Sequence, residues 1–490
     1  MIHLHINKSA VSVLFTILFA SLQTQAVAQV SKITRYDNIT GTNSHITADE
    51  KNYYIVSCRQ TSDDRSCFLI VDRQTNTKKQ FYTSQPGTPA PGVSYCGYIV
   101  NDITVDGNDC WFCGTKWVRT GNFIYDTNGL LFPETNFYGY VGRFGICEAL
   151  LGGGKFRINV MDNFIGPQKI VVNDRKATII GGRRIAEFTS VNDTIFNRTI
   201  GLLTHDQEIF VDIVSTGDTV VTLSRYTNII HYFFYHDVFG LRYGAHGNLI
   251  NTSDTVFNYD VYYAFGDRRA RFDSIRPIFL CPTGSGCGVT ISYIPTIRDI
   301  STSIAGRLLM FHVKGKNKPF STILLSSDTS RYAEIKRVKT CPYTSTQAFT
   351  TVLLHDSIGR SILRYPILNH APSSSVADTI KRLTYPYLDD VRNFTDCMNS
   401  NLCTSICTGH FPNFSNKSTL VFDSRIHYTS STQPKSCFFS LLGQFSYLRP
   451  EMTNKPSRNY PISSTSSTVE LTGYPYTTTD ASENTTCSGS

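Results

Sequence analysis

Two groups of cysteines come closest to the spacing of a reactive or metal-binding site. A C-x-x-C motif begins at Cys110, and the segment from Cys397 to His410 offers four zinc ligands. A redox C-x-x-C motif needs a helix N-terminus to lower its thiol pKa, whereas residues three apart on a β-strand point to opposite faces. Structural zinc sites commonly use paired knuckles, and the second group is irregularly spaced. The sequence therefore predicts no redox dithiol, no metal site and no cofactor.

Acidic and glycine-rich motifs do not complete a catalytic site either. Asp389 and Asp390 are adjacent in a strand-like, aromatic setting, where neighbouring side chains diverge, so each carboxylate would need a distant partner for glycosidase chemistry. The glycines from Gly152 to Gly154 precede Lys155, but the following Phe156 replaces the hydroxyl that a phosphate-binding loop requires. The catalytic residues, if the chain has any, stay unknown from the sequence.

Disulfide bonds are the expected use of the cysteines. The chain has 14 cysteines, an even number that favours disulfides in an exported protein. Cys58 and Cys67 flank a polar turn between two strands, and facing positions on antiparallel strands are ~4.5 to 5.5 Å apart, within disulfide reach. Two further candidates bracket a flexible Pro-Thr-Gly-Ser-Gly loop, and three more form a stapled loop. The candidates are Cys58, Cys67, Cys281, Cys287, Cys397, Cys403 and Cys407.

The elements that would position these residues are β-strands. Aromatic residues make up 12% of the chain and charged residues 17%, which is typical of β-structure. Short runs rich in Val, Ile, Tyr and Phe alternate with turn residues, as in 53–56 and 68–71. Residues 100–115 align without gaps with 210–225, so that Asp102 matches Asp212. Weaker copies lie at 45–58, 169–182 and 300–312.

The repeat predicts an all-β fold built as a propeller. The first apolar residue of each of the four clearest copies, Ile46, Ile103, Ile170 and Ile213, gives steps of 57, 67 and 43 residues. Sheet repeats with periods near ~40 to 50 residues are typical of propeller blades, and longer steps fit blades with loop insertions. We expect a β-propeller of about six or seven blades over 29–450, followed by a Ser/Thr-rich tail at 451–490. The alternative is a pair of β-sandwich domains.

The first 28 residues predict export. Lys8 precedes an apolar run of about a dozen residues, which ends before an A-x-A site at Ala26 to Ala28. This pattern is typical of a secretory signal peptide, and the run is too short for a transmembrane helix. Cleavage would leave 462 residues with a formal charge of +7. Such a mild charge, carried in short clusters, does not predict nucleic-acid binding. We expect a periplasmic, cell-surface or extracellular protein.

One resemblance supports this picture. The segment V-N-D-I-T-V-D-G-N-D-C-W-F-C-G from Val100, followed by Gly139-Tyr-Val-Gly-Arg-Phe144, resembles secreted, uncharacterised β-propeller-like proteins of Bacteroidetes-type gut bacteria. The match covers about the first third of the chain. It implies export and a β-rich repeat fold, and it implies no activity and no functional residues.

The sequence therefore favours a binding protein. We expect a secreted, non-catalytic propeller that binds a glycan or a cell-surface protein through loops at the mouth of its channel. The alternative is a carbohydrate-active propeller enzyme, a glycoside hydrolase or lyase, whose carboxylates, tyrosines, histidines and arginines would gather from separate blades. A structural component of the cell surface is a third possibility. The ligand, the disulfide connectivity and the oligomeric state are not predicted.

Overall fold

The computed structural model describes strands, one short helix and some of their connections between Ser31 and Gly489. Side chains are described mainly in 65–83, 97–161 and 166–189, apart from single positions, and at scattered sites elsewhere. The predicted signal peptide, residues 1–28, lies outside the described residues. The described chain is all-β, as expected, with the strands of each sheet running antiparallel.

Seven sheets are described, and six of them share one plan. Four strands that follow one another in the chain lie side by side, and a fifth strand from the C-terminal region pairs with the last of them. We number the sheets in chain order. Sheet 1 contains β2 (Thr42–Ala48), β3 (Tyr53–Arg59), β4 (Ser66–Asp72), β5 (Lys78–Tyr82) and β35 (Thr479–Asp480).

Sheets 2 and 3 repeat this plan with longer strands in sheet 2. Sheet 2 contains β6 (Val93–Asp106), β7 (Asp109–Tyr125), β8 (Leu131–Gly145), β9 (Gly153–Met161) and β34 (Thr468–Thr477), with helix α1 (Ile146–Leu151) between β8 and β9. Sheet 3 contains β10 (Lys169–Asn173), β11 (Lys176–Gly181), β12 (Arg184–Ser190), β13 (Asp193–Ile200) and β33 (Ile462–Ser464).

Sheets 4 and 5 follow in the middle of the chain. Sheet 4 contains β14 (Asp206–Thr216), β15 (Thr219–Asn228), β16 (His236–Ala245), β18 (Thr252–Asp260) and β32 (Arg458–Asn459), with the short β17 (Asn248–Leu249) beside β16. Sheet 5 contains β19 (Phe279–Pro282), β20 (Val289–Tyr293), β21 (Arg307–Val313), β22 (Phe320–Ser327) and β31 (Phe445–Leu448).

Sheets 6 and 7 complete the set, and sheet 7 joins both ends of the described chain. Sheet 6 contains β23 (Glu334–Pro342), β24 (Gln347–Asp356), β25 (Gly359–Leu368), β26 (Lys381–Thr384) and β30 (Phe439–Leu441). Sheet 7 contains β27 (Asn393–Asn399), β28 (Leu402–His410), β29 (Ser418–His427), β1 (Ser31–Thr40) and β36 (Asn484–Gly489). Strand β1 lies between β29 and β36, so the first strand of the chain completes the last sheet.

The predicted repeat corresponds to the first hairpins of sheets. Ile46, Ile103, Ile170 and Ile213 lie in β2, β6, β10 and β14, the first strands of sheets 1 to 4. The match between 100–115 and 210–225 extends to the strand register, because the β6–β7 and β14–β15 pairs shift at equivalent positions, just before Asp102 and Asp212. The weaker copy predicted at 300–312 does not correspond to a first hairpin, because it falls on β21, which is the third strand of sheet 5.

Among the described side chains, sheet 1 packs face to face with sheets 2 and 7, and sheet 2 packs with sheets 1 and 3. Alternate residues of β4 enter two different clusters: Phe68 and Ile70 pack towards sheet 2, and Leu69 and Val71 pack in a cluster with Tyr36 of sheet 7. Sheet 2 likewise buries residues on both faces, one against sheet 1 and the other against sheet 3. Side chains alternate between the faces of a strand, so a strand buried on both faces reads as a continuous apolar run.

Five phenylalanines form the centre of the contact between sheets 1 and 2. Phe68 lies 5.1 to 6.2 Å, centroid to centroid, from the rings of four others. Most of the pairs are tilted or edge-to-face, the arrangements that the quadrupole of an aromatic ring favours. The five residues are Phe68, Phe81, Phe112, Phe144 and Phe156.

Candidate functional site

The two cysteines of the C-x-x-C motif face opposite sides of β7, as the sequence predicts. Cys110 belongs to the cluster between sheets 1 and 2, and Cys113 belongs to the cluster between sheets 2 and 3. Both are fully buried, and burial raises the pKa of both thiols well above the usual value. A thiol that stays protonated is a poor nucleophile, so the structure gives this pair the role of small apolar core residues.

Only some of the disulfide candidates lie among the described residues. Cys58 in β3 and Cys67 in β4 are directly opposite each other in the strand register, the arrangement on which their predicted bond depends. Cys67 is buried, and its Sγ lies 3.7 Å from the carbonyl oxygen of Phe68. No disulfide bond is present among the described side chains, so the Cys58–Cys67 bond stays a prediction.

The other candidates stay predictions as well. Cys281 lies in β19, while Cys287 lies outside the described residues. In the register of sheet 7, Cys397 is opposite Thr404, Cys403 is opposite Met398, and Cys407 is opposite Phe394. The described pairing of β27 with β28 therefore does not bring two of these cysteines directly opposite each other.

Of the other motifs, the glycine-rich segment is described and the acidic pair is not. Gly152 ends helix α1 with a φ of 128°, a backbone conformation that favours glycine, and β9 begins at Gly153. A helix therefore precedes the glycines, whereas a phosphate-binding loop needs a helix after them. Asp389 and Asp390 lie outside the described residues.

Carboxylates on β6 join sheet 2 to sheet 3. Asp102 Oδ2 accepts a hydrogen bond from the backbone N–H of Ile170 at 3.1 Å. Asp106 Oδ2 accepts one from the backbone N–H of Arg175 at 2.9 Å. Both donors lie in the first hairpin of sheet 3, one at the start of β10 and one in the β10–β11 turn. The two carboxylates of β6 therefore hold sheet 2 against the first hairpin of sheet 3.

A third acidic residue braces the start of β7. Asp109 Oδ2 accepts a hydrogen bond from Arg143 Nη1 at 3.2 Å, and the Arg143 guanidinium lies 5.3 Å from the centroid of the Trp111 ring. Trp111 is buried. The described carboxylates of this region thus have structural partners, and among the described residues no cluster of metal-binding side chains is found.

The most unusual surface is the hairpin formed by β7 and β8. In the described registers β6 begins opposite Thr120, and β9 reaches only to a position opposite Gly139. Beyond these points β7 and β8 pair only with each other, as far as the pairing is described. At a rise of ~3.3 Å per residue, the ribbon extends roughly 17 Å past the first residue of β6.

The end of this ribbon is apolar on both faces. Seven large hydrophobic side chains are 47% to 75% exposed, although residues of these types are usually buried. Cross-strand partners such as Tyr125 with Leu131 share one face, and Ile124 with Phe132 share the other. We call these seven residues the apolar belt. They are Phe123, Ile124, Tyr125, Leu130, Leu131, Phe132 and Phe137.

A polar cluster lies between the six belt residues at the end of the ribbon and Phe137, which is opposite Trp117 in the stem. The register of β7 and β8 shifts between Arg119 and Phe123, and Glu134 lies opposite the extra residues. Its carboxylate accepts hydrogen bonds from Thr120 Oγ1 at 2.7 Å and from Asn122 Nδ2 at 3.2 Å. These hydrogen bonds lower the pKa of the Glu134 carboxyl. Sequence reasoning missed the belt because an apolar, β-branched and aromatic run resembles a buried strand.

Comparisons with known proteins give little further information. No protein-family description matches the chain, and no curated protein matches it. A crystal structure of the polysaccharide lyase Uly1 matches with a TM-score of 0.30 and 8% sequence identity, covering 80% of this chain and 91% of that chain. A likeness at this level carries no argument about the activity. Within the described residues, no helix is long and apolar enough to cross a membrane.

Proposed function

We propose that the seven sheets form one seven-bladed propeller. The supporting observation is that sheets 1 and 2 are each covered on both faces by neighbours, whereas each sheet of a two-layer sandwich buries only one face. The first strands of successive sheets also contact one another in a cycle. This cycle runs through β2, β6, β10, β14, β19, β23 and β27 and returns to β2. Strand β1 would close the ring by pairing with β29 in sheet 7.

The C-terminal region would then form an outer layer of strands. Strands β30 to β36 pair in turn with sheets 6, 5, 4, 3, 2, 1 and 7, so the chain after 438 returns around the ring in the reverse order. The Ser/Thr-rich tail at 451–490 would supply the edge strand of five sheets. Such strands protect the outer edges of the sheets, which are otherwise open to pairing with other chains.

The ring is proposed as an exported, non-catalytic module that binds a glycan or a protein partner. The observation that supports this function is that Asp102 and Asp106, the described carboxylates of strand β6, already have structural hydrogen-bond partners. Asp102 and Asp106 accept hydrogen bonds from the backbone of the next sheet, so they hold sheet 2 against sheet 3. A general acid or base must instead reach the substrate directly or through one water.

The partner would bind at the end of the ring that carries the longer loops. Between the first and second strands of a sheet the connections are two to six residues long, and the end that carries them, together with the connections from third to fourth strands, is called the turn end. The opposite end, the connection end, carries the links between sheets, of which the longest is 261–278. Loops at one end of a rigid scaffold are where binding residues concentrate. Arg268 and Arg269 belong to this longest link.

The test compares two pairs of basic residues at opposite ends of the ring. A glycan array and a pull-down of surface proteins would first identify a partner for the wild-type protein. We expect Arg268→Ala/Arg269→Ala to weaken binding of that partner by about tenfold or more, since each lost charged hydrogen bond is worth roughly 1.5 to 3 kcal/mol. Arg175→Ala/Lys176→Ala, which removes the same charge at the turn end, should change the affinity less than about twofold.

A parallel assay for depolymerised products covers the enzymatic alternative. Release of shortened or unsaturated sugars from a glycan by the wild-type protein would contradict the non-catalytic assignment. Equal loss of binding in both double variants would contradict the assignment of the connection end.

A further inference from the structure

We propose that one face of the β7–β8 ribbon is a stacking surface for the sugar rings of a glycan. The inference rests on the proposed function, because it names the class of partner that binds at the connection end. Successive strands run antiparallel and β7 begins at the two-residue turn after β6, so the turn between β7 and β8 lies at the connection end. The ribbon therefore projects from the end at which the partner is proposed to bind.

The strand register assigns three exposed aromatic side chains to one face of the ribbon. Val141 of β8 packs in the cluster with sheet 3, and side chains alternate along a strand, so Phe137 and Leu131 lie on the same face. Tyr125 is directly opposite Leu131, and Phe123, two residues before Tyr125, shares its face. We call these four side chains, Phe123, Tyr125, Leu131 and Phe137, the aromatic face.

The opposite face of the ribbon has a different composition. Among the paired residues, its large exposed side chains are Ile124 and Phe132, and Glu134 lies two residues from Phe132 on the same face of β8. The Glu134 carboxylate accepts hydrogen bonds from Thr120 and Asn122. A ligand that stacks flat on the ribbon covers one face, and only the aromatic face carries several exposed rings.

The area of the aromatic face fits a short oligosaccharide. Its four side chains are 50% to 75% exposed, and a large apolar side chain offers roughly 200 Å², so the face presents roughly 500 Å². A protein partner, or a second copy of this chain, needs about 800 Å² on each side of a standard interface. Apolar patches of the smaller size are often functional on monomeric proteins. The face alone is therefore too small for a protein interface and has the size of a small-ligand site.

The chemistry of the face matches that of a sugar ring. The flat side of a pyranose ring carries C–H groups, which stack on the negative face of an aromatic ring, and its edge carries hydroxyl groups, which need hydrogen-bond partners. Polar groups border the aromatic face towards the stem. Arg119, whose guanidinium lies 5.1 Å from the centroid of the Trp117 ring, is directly opposite Thr135 on the same face. Aromatic side chains with a few polar groups beside them are the usual lining of a small-molecule site.

The tip of the ribbon argues against a lipid surface. The turn that follows Tyr125 has the sequence Asp-Thr-Asn-Gly at 126–129. Insertion of the ribbon into a bilayer would take these polar groups and a charge into the lipid first, which is costly. The segments 123–125 and 130–133 also lack the Lys and Arg residues that attract anionic lipids. When a sugar stacks on the aromatic face, the tip stays in water.

The test measures glycan binding by the full chain. An array of plant, fungal, animal and bacterial oligosaccharides would supply the probe, whose affinity is then measured by calorimetry. Phe123→Ala/Tyr125→Ala should raise the dissociation constant about tenfold or more, because aromatic side chains at the centre of a contact carry much of its binding free energy. Tyr125→Phe keeps the ring and should stay within about threefold. Trp117 is directly opposite Phe137, so binding should also change the tryptophan fluorescence.

The matched control removes two large side chains from the opposite face of the same ribbon. Ile124→Ala/Phe132→Ala should leave the dissociation constant within about twofold, because neither residue belongs to the aromatic face. Far-ultraviolet circular dichroism and the urea midpoint would show that both double variants remain folded.

A wild-type protein that binds no glycan of the array would overturn the proposal, and capture of a surface protein would then leave the partner-binding function of the connection end intact. Equal loss of affinity in the two ribbon variants would also overturn it, because the aromatic face would not be the contact. A glycan that is lost in Arg268→Ala/Arg269→Ala but not in Phe123→Ala/Tyr125→Ala would overturn the ribbon site alone. A glycan that requires the aromatic face and is depolymerised would instead contradict the non-catalytic assignment and support the ribbon site.

Discussion

Replacing Phe68 by alanine tests the packing between sheets 1 and 2. The Phe68 side chain is fully buried, and its ring contacts those of Phe81, Phe112, Phe144 and Phe156. Truncation of a buried Phe costs about 3 to 5 kcal/mol, which includes the lost transfer free energy and the cavity left behind. Because Phe68 lies at the centre of four ring contacts from two sheets, we expect a loss in the upper part of that range.

The same substitution at an exposed position provides the control. Phe123 is 61% exposed in the hairpin, so Phe123→Ala should change the free energy of unfolding by less than about 0.5 kcal/mol. Phe68→Leu keeps most of the volume but loses the ring contacts, each worth about 0.5 to 1.5 kcal/mol beyond area burial, and should fall between the two. The difference between Phe68→Leu and Phe68→Ala separates the contribution of the ring contacts to stability from that of side-chain volume.

The assay is urea unfolding followed by tryptophan fluorescence. The chain has two tryptophans, Trp111 and Trp117, and both are buried in β7 of sheet 2. A change in sheet 1 is thus read out in the neighbouring sheet. Measurements at two low protein concentrations keep any effect of Phe123 on association out of the comparison. If Phe68→Ala were no more destabilising than Phe123→Ala, the two sheets would not be packed as described.

Three further predictions concern the first strands and the cysteines. Asp102→Ala should lower the free energy of unfolding by about 1 to 3 kcal/mol, because it leaves the N–H of Ile170 without its acceptor at a part-buried junction, whereas Asp106→Ala, whose donor is in an exposed turn, should cost less than about 1 kcal/mol. If Asp106→Ala lowered the urea midpoint as much as Asp102→Ala, or more, this predicted order would be wrong. A maleimide should label the exposed Cys147 in the native protein, and Cys110 and Cys113 only after unfolding, as read by peptide mass spectrometry; rapid native labelling of Cys113 would contradict its burial. Non-reducing peptide mapping of the protein, produced in an oxidising compartment, should link Cys58 to Cys67, whose positions face each other across two strands, and recovery of both as thiols would exclude that bond.

Local patterns allowed the first hairpins to be predicted from the sequence. The strands at 53–56 and 68–71 are present within β3 and β4, and the alignment of Asp102 with Asp212 holds in the strand register. The opposite orientation of Cys110 and Cys113 followed from the two-residue period of a strand. These features depend on neighbouring residues alone, which is why the sequence carries them.

The features that were missed depend on distant residues. Strands such as β32, β33 and β35 are two or three residues long, and a Ser/Thr-rich segment of that length has no period that predicts a strand. Their pairing with sheets 4, 3 and 1 comes from residues more than 200 positions away. The apolar belt was missed for a related reason. Its residues have strand propensity, and only the lengths of β6 and β9 leave them exposed.

Disulfide trapping between β1 and β29 tests the closed ring most directly. Thr34 is opposite Val421 and Arg35 is opposite Leu420, so the pairs Thr34→Cys/Val421→Cys and Arg35→Cys/Leu420→Cys place cysteines at facing positions of antiparallel strands. Facing Cα atoms are about 4.5 to 5.5 Å apart, within the range of a disulfide bond. The closed ring predicts that at least one pair forms an intramolecular bond between β1 and β29, identified by peptide mapping after mild oxidation. If neither pair is linked in the folded monomer, β1 does not complete sheet 7 and the ring is not closed.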